Sequence, residues 1–179
     1  MNKLEMQINK IIDFDIEKKN SFDSMEEIEK IEQKFSIVLP EEYKDFLFKY
    51  AGCYIKDDYF YKPIEINPMS SPNGYSSTGY FYGNDIVSAI NTYFESELES
   101  RLVPICEADG GDLICIDISE KYYGSIYYWP HDTNGVLDDS LFLVQKSFED
   151  FILSFERHKS KDTAVDLDKI KINLDPSLL

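Results

Sequence analysis

The segment from Leu39 to Gly52 constrains the fold most strongly, because the residues themselves indicate a helix start, a buried face and a helix end. Pro40 suits the first position of a helix, where no backbone N–H bond is lost, and the two glutamates after it favour the positive end of the helix dipole. Gly52 is placed to end the helix in a left-handed turn. Apolar residues at helical spacing predict one buried face: Tyr43, Phe46, Leu47 and Tyr50.

Four more helices are predicted by periodicity and capping signals. Ser24 and Glu27 have the spacing of a capping box, which predicts a helix over residues 24–35. Asn84 or Asp85 is placed to cap a helix through Ile86 and Ile90. Ser147 is placed to cap a closing helix over residues 148–155. A first amphipathic helix is indicated near the start of the chain by Leu4, Ile8, Ile11 and Ile12.

The middle of the chain alternates short apolar runs with turn signals. A turn at residues 109–112 predicts a hairpin between strands 102–106 and 113–118. Helices followed by strands and a closing helix are typical of an α+β fold, with a mixed, mostly antiparallel sheet backed by helices. We expect an N-terminal helix or extension at residues 1–20, one domain at 24–156 and a charged tail at 157–179. Further strands are predicted at 124–129 and 141–144, and around Tyr59–Tyr61 and Tyr80–Tyr82, the last two joined by a turn-rich loop.

The chain is strongly acidic, with 34 Asp and Glu against 18 Lys and Arg and a net charge of −16. Residues 51–150 carry 17 acidic and 5 basic residues, and therefore −12 of that charge. Such a segment argues against direct binding of nucleic acid or of anionic membranes, which both require Lys and Arg. It would attract a basic protein, although acidic charge can also serve solubility alone.

The three cysteines, Cys53, Cys106 and Cys115, form neither a disulfide framework nor a zinc site, because their number is odd and no C-x-x-C is present. The first residues have scattered charges and no apolar core of a secretory signal. The longest strictly apolar runs are four residues long, too short for a membrane span. We therefore expect a cytoplasmic protein; its oligomeric state stays open.

Three motifs invite a catalytic or metal-binding interpretation, and each has a simpler one. His131-Asp132 could act as a general base or as part of a metal site. The favoured interpretation is a histidine at the end of a strand that hydrogen-bonds a turn. Asp109-Gly110-Gly111-Asp112 lacks the ligand spacing of a calcium loop and is favoured as a tight turn. The stretch 74–79 misses the G-x-S-x-G spacing of a nucleophile elbow. We predict no enzymatic activity, no cofactor and no metal.

Tyrosines and carboxylates cluster between residues 54 and 85. Tyrosine is enriched at protein interfaces because it offers a large contact area at low entropy cost, but aromatics also favour half-buried strands. Both interpretations fit the composition. The residues predicted to bind a protein partner are Asp57, Asp58, Tyr59, Tyr61, Tyr80, Tyr82, Asp109 and Asp112.

Residues 28–52 read Ile-Glu-x-Ile-Glu-x-x-Phe-x-Ile-x-Leu-Pro-Glu-Glu-Tyr-Lys-x-Phe-Leu-x-x-Tyr-x-Gly, which resembles the opening of SUKH superfamily domains. The chain departs from the family at Ala51, where members often carry Asn, and in the insert at residues 55–83, which matches nothing in the family pattern. Looser agreement follows at residues 103–105, 109–112, 124–127, 131–132 and 147–152.

The resemblance implies an α+β binding domain without catalytic machinery. Bacterial members are typically immunity proteins for secreted toxins, often nucleases, and fungal relatives regulate cell-wall synthesis through protein contacts. The first hypothesis is therefore an immunity protein that binds a basic toxin. A regulatory scaffold is the second. A small-molecule or enzymatic domain in the concave face of the sheet is the third, which a convergent polar pocket would favour.

Overall fold

The computed structural model describes residues 2–18, 20–94, 101–131 and 141–158. Five α-helices and seven β-strands occur in these ranges. The helices are α1 (Lys3–Ile11), α2 (Met25–Phe35), α3 (Glu41–Tyr50), α4 (Ile86–Phe94) and α5 (Phe148–Leu153). The strands are β1 (Tyr59–Tyr61), β2 (Thr78–Phe81), β3 (Leu102–Ala108), β4 (Leu113–Asp117), β5 (Ile126–Trp129), β6 (Phe142–Gln145) and β7 (Phe155–Arg157).

Five strands form one sheet in the order β2-β3-β4-β5-β6, and each neighbouring pair is antiparallel. The two remaining strands, β1 and β7, pair antiparallel in a separate ribbon. A short 3-10 turn, Asp109–Gly111, connects β3 to β4, which confirms the predicted hairpin. Together with the five helices, this arrangement confirms the predicted α+β fold.

Both edges of the sheet are covered by segments of the same chain. Along β2, the Ile55 amide donates to the Gly79 carbonyl at 3.1 Å and the Phe81 amide donates to the Cys53 carbonyl at 2.9 Å. Along β6, the amides of Ile64 and Glu65 donate to the carbonyls of Val144 and Leu143, each at 2.9 Å. Exposed strand edges template pairing with other chains, so this cover removes a route to aggregation.

The core lies between the sheet and the helices and is rich in aromatic rings. Phe46 of α3 lies 5.1 Å from Phe81 and 5.0 Å from Phe148, measured between ring centroids. Tyr43, Phe46 and Leu47 are buried, as the helical spacing predicts. The three cysteines are buried and free, and burial raises the pKa of Cys53 to about 12. Buried thiols of this kind pack as small hydrophobes.

Helix α1 is part of the same core. It begins at a capping box in which the Glu5 amide donates to the Asn2 side chain and the Glu5 carboxylate accepts from the Asn2 amide. Ile8 and Ile11 are buried on its inner face. Ile12 forms a bridge with Ile55, and the Gln7 side chain donates to the Phe155 carbonyl at 2.7 Å.

Two predictions about the start of a helix are wrong in detail. The Ser24 side chain makes no capping hydrogen bond. The Glu27 carboxylate instead accepts from the Asp23 amide at 3.0 Å, so it reaches back one residue further than a capping box requires. Pro40 is the residue before α3 rather than its first residue, and its carbonyl accepts from the amides of Tyr43 and Lys44 at 3.0 Å.

The ends of α3 and α5 and the cap of α5 were also predicted from the sequence. Gly52 has φ 74, which confirms the left-handed turn after α3. The Ser147 hydroxyl accepts from the Asp150 amide at 3.1 Å, which confirms the cap of α5. The prediction that Phe155 is helical is wrong: α5 ends at Leu153, where the Ser154 hydroxyl bonds the Phe151 carbonyl, and Phe155 pairs with Tyr61 in the ribbon. Most of the predicted tail, residues 159–179, lies outside the described residues.

Candidate partner-binding surface

The insert that departs from the family pattern contains a loop, residues 62–75, between β1 and β2. The two ends of this loop are joined, because the Tyr61 amide donates to the Ser76 carbonyl at 2.9 Å and the Ser76 amide donates back at 3.0 Å. Thr78 of β2 pairs with Ala108 of β3, so β2 starts where β3 reaches the 3-10 turn. The loop therefore lies at the end of the sheet that carries Asp109.

A buried polar network holds the loop in one conformation. The Asn67 side chain donates to the Ser76 hydroxyl at 3.1 Å, and it accepts from the Met69 amide at 3.1 Å. The Ser70 hydroxyl contacts the Ser76 hydroxyl at 2.8 Å. Gly74 has φ +77, a left-handed conformation that a glycine adopts without strain, and its amide donates to the Ser71 carbonyl at 2.8 Å. The loop is thus ordered by its own hydrogen bonds.

Three large apolar side chains of this loop point to solvent. Ile64, Ile66 and Met69 are 50%, 61% and 46% exposed. Their exposure was not predicted from the sequence, although the turn-rich stretch that contains them was. They lie in a turn-rich stretch that belongs to no helical or strand face, so no local periodicity buries them. An ordered loop that presents several apolar side chains to solvent is a candidate for a binding site.

The predicted tyrosines are mostly part of the core. Tyr61, Tyr80 and Tyr82 are buried, and the Tyr61 ring packs 5.3 Å from that of Phe151. The Tyr80 hydroxyl donates to the Asp85 carboxylate at 3.0 Å, and burial raises the pKa of Tyr80 to about 12. Only Tyr59 stays half-buried. The burial of these three side chains is typical of aromatics that pack against a core.

The predicted acidic residues fall into three environments. Asp57 is exposed. Asp58 accepts from the Arg157 guanidinium at 2.6 Å, so its charge is compensated. Asp109 is exposed and accepts from the Ser77 hydroxyl. Asp112 is buried, where it has a structural role. Asp57 and Asp109 are thus the predicted carboxylates that are best placed to meet a partner.

His131 and Asp112 form the strand-end arrangement that the sequence favoured. Both the backbone amide and Nδ1 of His131 contact one Asp112 carboxylate oxygen, at 3.0 and 2.7 Å. The same carboxylate accepts from the Tyr128 hydroxyl, and burial together with this contact raises the pKa of Tyr128. Gly110 and Gly111 have φ +77 and +90, as a tight turn requires. Asp132 lies outside the described residues.

The remaining motifs give no sign of catalysis. Ser76 is buried in the loop network and Ser77 bonds Asp109, so neither occupies a strand-to-helix elbow. No group of His, Cys, Asp and Glu within the described ranges is arranged to hold a metal ion. In the same ranges, no helix has the length and apolar character needed to cross a membrane.

A shallow cleft of about 200 Å³ adjoins the loop and is lined by Phe60, Ser71, Asn73, Tyr75 and His158. The His158 ring lies 4.1 Å from that of Tyr75 and 5.8 Å from that of Phe60. The Tyr75 hydroxyl donates to the Glu156 carboxylate at 2.8 Å. We use the term insert surface for the loop, this cleft and the two exposed carboxylates: Asp57, Phe60, Ile64, Ile66, Met69, Tyr75 and Asp109.

An antiparallel five-stranded sheet backed by helices defines an α+β domain. The model of the SMI1/KNR4 family (SUKH-1) matches residues 24–154, and the chain therefore belongs to this family. It is also similar to the SPbeta prophage-derived uncharacterized protein YokK of Bacillus subtilis (strain 168). The two are 32% identical over 174 residues, an alignment that covers 89% of this chain and 88% of that protein.

Proposed function

We propose that this protein is a bacterial immunity protein that binds a cognate toxin stoichiometrically through the insert surface and thereby blocks it. The family supports a non-catalytic binding role, since its bacterial members are typically immunity proteins. The prophage origin of the Bacillus relative is consistent with a bacterial rather than a fungal role. The observation that carries the proposal is the ordered loop with three exposed apolar side chains, Ile64, Ile66 and Met69.

An ordered loop binds more tightly than a mobile one, because little conformational entropy is lost when the complex forms. The buried Asn67–Ser76 pair holds the loop before any partner arrives. Apolar anchors near the centre of an interface contribute most of its binding energy, and the surrounding polar residues exclude water. We therefore assign the anchor role to Ile66 and Met69 in place of the buried tyrosines.

The proposed toxin is basic. Asp109 bonds Ser77 beside the loop, Asp57 is exposed in the turn before β1, and the segment 51–150 has a large excess of acidic residues. Six of its acidic residues lie in 95–100 and 132–140, outside the described residues. Surface charge of one sign steers an oppositely charged partner and raises the association rate, from roughly 10⁵–10⁶ towards 10⁸ M⁻¹s⁻¹ at low salt.

The decisive experiment is binding kinetics against the product of the adjacent toxin gene. Replacing Ile66 with Ala should speed dissociation by a factor of roughly 30, the equivalent of about 2 kcal/mol for a hot-spot residue. Val38→Ala is the matched control, because Val38 is 64% exposed and lies between α2 and α3, outside the loop. Equal effects of the two variants would exclude the loop as the binding site.

A second experiment tests whether acidic charge speeds association with the toxin. Asp57→Lys should slow association at low salt and flatten its salt dependence, while stability changes by less than about 0.5 kcal/mol. Asp57 is a cleaner site than Asp58, whose replacement would also release Arg157. An association rate that does not respond to salt would rule out steering. If the wild-type chain does not bind the product at all, the regulatory hypothesis becomes the stronger one.

The non-catalytic part of the proposal is tested on the purified chain. We expect no hydrolase or transferase turnover. His131→Ala removes the side chain that contacts Asp112. Activity in the wild-type protein that this variant abolishes, with the fold intact by circular dichroism, would show that the protein is an enzyme.

A further inference from the structure

A groove of about 200 Å³ lies between α1 and α3, on a part of the molecule that the proposed function does not use. We call it the α1–α3 groove. Leu4 and Ile8 line it from α1, and Phe46 and Tyr50 line it from α3. These four side chains give the groove an apolar floor that can accept an aliphatic chain.

Carboxylates border this floor. Glu42 and Asp45 lie on the same face of α3 as Phe46 and Tyr50, since residues three and four apart are neighbours on a helix. Glu5 contributes a third carboxylate from α1, and Lys49 is the basic residue among the lining residues. Asp45 is exposed and Glu42 half-buried, so both can meet an incoming cation.

Lys18 of the chain itself contacts the ring of Tyr50, which lines the groove. The Lys18 ammonium lies 5.4 Å from the centroid of the Tyr50 ring and donates to the Lys49 carbonyl at 2.6 Å. This contact combines an aromatic face with a helix C-terminus, and both attract cations. Glu42 and Asp45 line the groove together with Tyr50 and add two carboxylates to it.

One wall of the groove lies outside the family domain. The family model matches residues 24–154, whereas Leu4, Glu5 and Ile8 belong to α1. The groove is therefore formed by an element added to the domain, and a family domain without such a helix lacks this wall.

We infer that the α1–α3 groove binds a basic, amphipathic protein segment, with the aliphatic stem of a Lys or Arg on the apolar floor and its charged head at Glu42 and Asp45. Long basic side chains bind in this way because the stem is apolar and the head stays near a carboxylate. This site is separate from the insert surface and does not depend on the identity of the toxin.

The test is an NMR titration of the full-length, ¹⁵N-labelled chain with a peptide of three Leu-Lys-Lys-Leu repeats. We expect chemical-shift changes concentrated at Leu4, Ile8, Phe46 and Tyr50. The dissociation constant should rise by about 10-fold in the variant Glu42→Gln/Asp45→Lys, because one contact with an opposite charge becomes repulsive. A peptide of Leu-Glu-Glu-Leu repeats should leave these resonances unchanged.

Glu29→Lys is the matched control, because Glu29 is an exposed carboxylate of α2 that does not line the groove. It should change the dissociation constant by less than about 2-fold, as expected for a remote and screened charge. The inference is overturned if this control weakens binding as much as the groove variant does. It is equally overturned if the shifts occur elsewhere or do not occur, or if sedimentation shows that a second copy of the chain fills the groove.

Discussion

The insert surface and the α1–α3 groove present apolar side chains to solvent in opposite ways. The insert projects Ile66 and Met69 from a loop whose shape depends on hydrogen bonds around Asn67. The groove recesses Leu4 and Ile8 beneath carboxylates, and its shape depends on the packing of α1 into the core. The shape of the insert surface is therefore maintained by a small polar network, whereas the shape of the groove is maintained by hydrophobic burial. They should therefore respond to different mutations.

The largest effect is expected from Ile11→Ala, which removes a fully buried side chain of α1. It should lower the free energy of unfolding by about 2–5 kcal/mol through lost burial and a cavity. Leu47→Ala in α3 is the control inside the family domain and should cost a similar amount. Urea denaturation of both variants measures the two changes in the free energy of unfolding. If Ile11→Ala costs less than about 1 kcal/mol, α1 is an appendage and the groove has no fixed wall.

A smaller effect is expected from Asn67→Ala, which removes one of the two hydroxyl partners of Ser76 and the side-chain acceptor of the Met69 amide. The loss of these hydrogen bonds should lower the free energy of unfolding by about 1–3 kcal/mol. Amide hydrogen exchange should accelerate at Met69 and stay unchanged at Ile8. Exchange that accelerates equally at both positions would show that the two surfaces share one source of order.

High pH tests the buried core, where all three thiols lie, rather than the hydrogen bonds of the loop. Burial raises the pKa of Cys53 from 9.0 to about 12. Below pH 9 the thiol is protonated in both states. Between pH 9 and 12 only the unfolded chain loses this proton, so stability should fall by about 1.4 kcal/mol per pH unit for this group.

Cys53→Ala should reduce that slope in urea denaturation at a series of alkaline pH values, while Asn67→Ala should leave it unchanged. Cys106 and Cys115 are buried in the same way and should maintain part of the slope. An identical slope in wild type and Cys53→Ala would mean that the thiol is accessible to solvent in the folded protein.

The smallest effects concern two buried hydroxyls. Among the residues that the structure describes, no group hydrogen-bonds the hydroxyl of Tyr43 in α3 or that of Tyr61 beside the loop. Replacing Tyr43 with Phe should leave stability unchanged or raise it by up to about 1 kcal/mol, because an unpaired polar group leaves the core. Tyr61→Phe should have a smaller effect, since the polar groups of Ser76 and Asn67 lie close by. Thermal denaturation that shows a loss above about 1 kcal/mol for Tyr43→Phe would reveal a partner for that hydroxyl.

The sequence was sufficient for the helices and the hairpin, because their signals are local. Gly52 and Ser147 act on residues within one turn, and the period of Tyr43, Phe46 and Leu47 identifies a buried face. The ribbon was missed because the partner of Phe155 is Tyr61, which is far away in the chain. Long-range pairing of short strands leaves no periodic trace in either segment.

The candidate site was predicted less well than the fold. Composition could not separate exposed from buried tyrosines, and it favoured Tyr80 and Tyr82, which lie in the core. The exposure of Ile66 depends on the hydrogen bonds of Asn67 and Ser76, which are nine residues apart. Such side-chain pairs arise from the folded loop, and no spacing rule identifies them.

The two hydrogen bonds that join Tyr61 to Ser76 have a consequence for the evolution of the family. They fix the ends of the loop side by side, so the exposed part of the loop can change in length without moving either end. The free energy of closing a loop changes slowly with its length, by about 0.6 kcal/mol for each doubling. The exposed residues of the loop can therefore diverge while its hydrogen-bonded residues stay, and a new partner can be acquired without redesigning the domain.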